Sequence, residues 1–181
     1  QVAEVLSSQL SWTVREKEAW LVAATATTTA LTEGVFFPDV YLIPSDQSPE
    51  QIAERFRDRF NMETEPYVQV AIEKNIPWND VLTLASLIER ESAKNDKKLV
   101  SGILWNRLNK DMLLQVDATL QYAIGSAENK WWPAPTSEDK YVESPYNTYQ
   151  HEGLPPAPIA TPTLASIDAA LNPQKTSCLY Y

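Results

Sequence analysis

The stretch Leu84-Ala-Ser-Leu-Ile-Glu-Arg-Glu-Ser92 sets two carboxylates two residues apart at the end of an apolar run. Leu84, Leu87, Ile88 and Glu91 fall at offsets of zero, three, four and seven, the spacing of one face of an α-helix. Glu91 therefore continues the apolar stripe. Glu89 follows Leu82, Ala85 and Ser86 toward the side of that stripe and is better placed for solvent. A carboxyl group that protonates a leaving oxygen near neutrality must be kept out of bulk water, so position on the stripe matters for chemistry. On spacing alone, a Glu91 that ends the stripe at the surface and pairs with Lys94 is the better explanation.

Helical periodicity extends outward from this segment. Downstream, Val100, Ile103, Leu104, Arg107 and Leu108 predict a helix from Asp96 to about Asn109. Met112–Gly125 reads as a short extended piece followed by a short helix that Asp117 is suited to cap. Upstream, one helix is expected from Pro49 to about Asn61 with Ser48 as its cap, and a second from about Pro66 to just before Asn75. Val2, Val5, Leu6, Leu10 and then Trp20, Leu21 and Ala24 predict two shorter helices nearer the start. Between these groups, Glu33–Pro44 breaks the pattern, with Val35, Phe37 and Tyr41 as anchors of a loop or short strand.

Ser126–Ser144 has the composition of a long surface loop. Ser144–Pro162 carries too many prolines for a central strand or helix and is expected to run extended over the surface. A last helix over Thr163–Asn172 stops at Pro173. The expected fold is α+β: a helix-rich domain with short strands and a Pro-rich ordered loop walling a cleft. Residues 1–40 are expected to form an N-terminal helical portion leading into the main domain over 41–181, itself expected to be C-terminally truncated.

Composition excludes several functions. With 44% hydrophobic and 22% charged residues in 181, the chain is of ordinary globular make-up and long enough to bury a core. A net charge of −9 with no extended basic cluster disfavours nucleic acid. One cysteine, Cys178, and one histidine, His151, leave no set with metal-ligand spacing, so zinc and thiol chemistry are not expected; no metal or organic cofactor is implied. No apolar run reaches the length of a membrane span. The chain opens without Met and closes on Cys178-Leu-Tyr-Tyr181, which reads as a strand stopped halfway, so a fragment of a longer protein is expected.

Five strings occur together and in order: Ala85–Glu91, Asn106–Leu108, Leu114–Thr119, Tyr146–Tyr149 and Gly153–Ile159, with Glu33–Tyr41 upstream. This constellation resembles the endolytic murein transglycosylases of the MltG/YceG type, over most of the chain from Glu33 onward. Val40 and Ala118 depart from the family's usual Thr and Pro at those positions, and neither change removes a carboxylate or amide. The resemblance implies a lyase that cleaves peptidoglycan glycan strands to 1,6-anhydro ends, with Glu91 as general acid and then base. It makes Gln115, Asp117, Tyr146, Asn147 and Tyr149 the candidates for substrate binding.

It also implies an extracytoplasmic enzyme held to the cytoplasmic membrane by an anchor that this chain lacks. Cell-wall synthesis proteins are possible partners of the full-length protein. Two rival readings stand beside it: a hydrolase using Glu91 with a second carboxylate such as Asp117, and a glycan-binding module without catalysis. Arg107 is expected to pair with a carboxylate and hold two helices together, and Trp131 and Trp132 to be either loop anchors or sugar-stacking rings.

Overall fold

A computed structural model describes residues 2–25, 33–44, 46–92, 95–126 and 131–181. Among the described residues seven α-helices follow one another: α1 (Val2–Leu10), α2 (Val14–Thr25), α3 (Pro49–Glu73), α4 (Trp78–Glu91), α5 (Lys97–Leu108), α6 (Asp117–Ile124) and α7 (Leu164–Leu171), with a 3-10 turn at Glu138–Tyr141. No strand is formed among the described residues, so the architecture is helical and the expected α+β class with short strands is wrong.

The physical reason lies in where the extended segments spend their backbone groups. Arg107 and Asn106 side chains take the carbonyls of Thr176, Cys178 and Leu179, the stretch read as a half-strand. Pro38 and Pro44 bracket the other strand-like stretch and offer no N–H to a ladder.

Helix α4 is the hub. Every residue from Val81 to Ile88 is buried, Thr83 and Ser86 included, so the helix is covered on all sides and not along a single stripe. It packs against α3, α5, α6 and α7. Its two glutamates emerge only at its last turn, and both are partly buried. A second, smaller core joins Ala3 and Leu6 of α1, Trp20 and Ala24 of α2, and Ile52, Ala53 and Phe56 of α3. Tyr41 stacks on Phe56 with ring centroids 4.0 Å apart, fastening the 37–44 segment to α3.

Helix α3 begins as the sequence predicts, with Ser48 and Gln51 forming a capping box. It then runs unbroken through Pro66 where two helices were expected. Pro66 and Met62 both face solvent, so the Met62 carbonyl that Pro66 leaves without an N–H meets water.

The Pro-rich segment departs in part from expectation: Pro145 and Gln150–Glu152 are exposed, but its second half is set into the core. Pro155, Pro158, Ile159 and Pro162 are buried, and the Ile159 N–H donates to Ser86 Oγ of α4 at 3.0 Å. Gly34, at φ +78°, packs so closely on Pro158 that a Cβ there would lie 2.7 Å from its side chain.

Candidate active site

Glu89 and Glu91 part ways at the end of α4. Glu89 is engaged, not solvated. Its Oε2 accepts from Thr163 N at 3.1 Å, Thr163 Oγ1 at 2.7 Å, Ser166 Oγ at 2.6 Å and Lys97 Nζ at 3.1 Å. Thr163 is the N-cap of α7 and makes no side-chain cap bond of its own, so Glu89 satisfies that helix end from outside. Burial works to raise the Glu89 carboxyl above its usual value. The bonds from Ser166, Thr163 and Lys97 outweigh it and hold the group below the usual carboxylate range.

Glu91 turns toward the opposite side, onto the start of α6. Its Oε1 accepts the Ala118 N–H at 3.0 Å, and its Oε2 accepts the Tyr181 hydroxyl at 3.3 Å. Val116 is the N-cap of α6 and supplies no side-chain bond, so Glu91 caps this helix in place of a local residue. Asp117 therefore does not cap α6. It is the first helical residue, and its Oδ1 instead accepts the Tyr149 hydroxyl at 2.5 Å. The pairing of Glu91 with Lys94 lies outside the described residues.

Two motif strings distant in sequence interlock to hold this arrangement. Thr148 Oγ1 accepts the Val116 N–H at 3.0 Å and lies 2.9 Å from Thr119 Oγ1, while the Thr148 carbonyl accepts the Gln115 N–H at 3.0 Å. Gln115 adopts φ +51°, a left-handed conformation unfavourable for a residue with a Cβ, which turns the chain into α6. The Gln115 side chain is exposed.

Asn147 is fully buried below. Its Nδ2 donates to the carbonyls of Lys140 and Val142, and its Oδ1 accepts the Tyr149 N–H at 2.9 Å. Its amide thus fixes the loop that carries Tyr149. Lys140 Nζ lies 4.9 Å from the Tyr149 ring centre.

Of the sequence-predicted residues, Gln115, Asp117 and Tyr149 gather with Glu91 around the α6 N-terminus. Tyr146 lies farther along α6, its ring centre 4.7 Å from that of Tyr122, whose hydroxyl donates to Glu33 Oε2 at 2.6 Å. Burial foremost, and then the nearby carboxylates, push the hydroxyls of Tyr149 and Tyr181 up: Asp117 and then Glu91 for Tyr149, and Glu91 for Tyr181. These phenols remain hydrogen-bond donors at neutral pH.

Sequence reasoning missed Tyr181, the Ala118 N–H and the Thr119–Thr148 pair. The two threonines stand inside the recognised strings, so their presence there was the available signal; nothing marks Tyr181. Arg107 was expected to pair with a carboxylate. It is buried and instead donates to the carbonyls of Leu179 and Leu114, both at 2.6 Å, tying two extended segments together and delivering Tyr181 to Glu91.

The structure is thus a helical hub with one carboxylate set on a second helix's N-terminus, among tyrosines. The YceG-like family model matches residues 1–181, and the chain belongs to that family. It is 36% identical over 151 residues to an endolytic murein transglycosylase of Streptococcus pneumoniae serotype 2 (strain D39 / NCTC 7466), covering 82% of this chain and 27% of that protein. It is 37% identical over 151 residues to an endolytic murein transglycosylase of Bacillus subtilis (strain 168), covering 82% of this chain and 41% of that one. The crystal structure of a YceG-like protein from Listeria monocytogenes superposes with a TM-score of 0.84 at 30% identity, over 99% of this chain and 65% of that one. The chain thus spans 27% to 41% of the length of these curated relatives.

Proposed function

We propose that this chain is the catalytic region of a lytic transglycosylase acting within peptidoglycan strands, with Glu91 as its single general acid and base. The observation that carries the reading is the Glu91 carboxyl, bound on one oxygen by the Ala118 N–H and on the other by a longer contact to Tyr181. The names of the relatives support the substrate class.

The bond cut is that between N-acetylmuramic acid (MurNAc) and N-acetylglucosamine. With Oε1 engaged by the backbone N–H, the proton of the acid form resides on Oε2. Glu91 passes this proton to the glycosidic oxygen as the bond from that oxygen to the MurNAc anomeric carbon breaks. The MurNAc 6-hydroxyl oxygen then bonds to the same carbon, and its proton returns to Glu91. No water is consumed, and one 1,6-anhydro end forms per cut. A hydrolase needs a second carboxylate to act as nucleophile or to activate water, whereas this route needs only one.

The positive transition state requires negative charge at a fixed place. Asp117, pinned by the Tyr149 hydroxyl, supplies it, and Gln115 and Tyr146 bind the strand. Asn147 acts through Tyr149 and not on the sugar. The enzyme works outside the cytoplasmic membrane, where its substrate is assembled; no helix among the described residues is long and apolar enough to cross a membrane.

Mass analysis of strands digested in isotopically labelled water tests the chemistry. Anhydro ends without label support the reading. Labelled reducing ends indicate a hydrolase, and intact bound strands a binding module.

A further inference from the structure

Arg90 stands between the two glutamates on α4 and takes part in neither network. Its guanidinium carbon lies over the Trp132 ring, 3.8 Å from the ring centre, so the aromatic face holds the cation. No carboxylate pairs with it among the described residues, although the chain carries 24 acids against 15 bases. The side chain is exposed. Trp132 holds its place at φ +66°, a left-handed conformation that costs a bulky residue about 1 kcal/mol or more. The fold thus maintains an unfavourable backbone beneath an exposed cation.

We infer that Arg90, held over the Trp132 ring, is an anion subsite for the carboxylates of the peptide stem on the MurNAc unit being cut. This rests on the transglycosylase reading. The stem hangs from the same sugar whose anomeric carbon reacts, so its acidic groups lie beside the general acid. Arg90 and Glu91 are consecutive, with Cα atoms about 3.8 Å apart, and their side chains diverge by about 100° around the helix. One reaches the start of α6 and the other reaches Trp132, beyond its end. An exposed planar guanidinium is the side chain suited to bidentate capture of a carboxylate. On a surface of net negative charge, an anionic stem needs such a local cation to dock.

The test measures binding to the full chain carrying Glu91→Gln, so that slow cleavage does not interfere. Two preparations of uncrosslinked strands are compared, one with its stems and one stripped of them by an amidase. The inference predicts about tenfold tighter binding of stem-bearing strands. Adding Arg90→Gln, or Trp132→Leu in a variant that melts like its parent, brings the two preparations near parity. Raising salt narrows the preference in the same direction. Absence of a stem preference, its survival in Arg90→Gln, or failure to bind either preparation overturns the inference. Failure of the transglycosylase reading shows separately, as a lack of anhydro ends when Glu91 is intact.

Discussion

Replacing Glu89 with alanine removes one oxygen that four donors share, and its cost follows from what those donors then lack. The Thr163 N–H at the head of α7 loses its acceptor, and Lys97, whose side chain is 15% exposed, loses its counter-charge. Removing one member of a buried charge pair costs about 3 to 5 kcal/mol. Two features reduce that figure. The Glu89 side chain keeps 25% of its exposure, and Lys97 retains its 2.8 Å bond to Ser166 Oγ. The expected loss is about 2 to 3 kcal/mol, which for a chain of this size lowers the melting temperature by roughly 4 to 12 °C.

Glu89→Gln keeps an acceptor, gives up the charge, and should lose about half as much. Because the folded protein holds this carboxyl below its ordinary value of 4.5, its stabilisation is complete above that pH and fades as pH falls through the folded value. The gap between wild type and Glu89→Gln therefore narrows in acid. Thermal and urea melts across pH measure it, alongside strand cleavage well below the melting point, where the variant should keep activity within severalfold. A variant that melts with wild type yet cleaves nothing would refute the assignment of Glu89 to structure.

Tyr149→Phe removes the hydroxyl that pins Asp117 and should lower the cleavage rate about ten- to a hundredfold with under about 1.5 kcal/mol of stability lost, read from product release and a melt. Pro66→Ala restores an N–H to the Met62 carbonyl inside α3. It should raise stability by about 1 to 2 kcal/mol, since part of the helix gain is offset by a freer unfolded chain, as a urea titration will show.

Most of the helices were legible because they obey local rules. Apolar spacing marked α4 and α5, and Ser48 with Gln51 marked the start of α3. Glu91 was singled out only because its stripe position and the recognised strings agreed. Misreadings arose where tertiary packing overrode local signals. Pro66 looked like a boundary, yet its solvent-facing position lets the helix continue. The Pro-rich segment looked like surface, yet Pro155, Pro158 and Pro162 are buried, Pro158 against Gly34. The half-strand at Cys178–Tyr181 gained its partners from the side chains of Asn106 and Arg107, and no pattern within those residues announces such bonds. Glu89 looked solvated because its four donors come from Lys97 and from residues more than seventy positions later in the chain.

The central claim is that Glu91 alone donates and recovers the proton. Its most direct test is the rate of anhydro-end formation from uncrosslinked strands by wild type and by Glu91→Gln, the latter shown by its melt to be folded. Loss of general acid and base function should slow the reaction by about a hundred- to ten-thousand-fold, or about 3 to 5 kcal/mol of barrier, while strands still bind. A folded Glu91→Gln protein that forms anhydro ends at the wild-type rate would contradict the account.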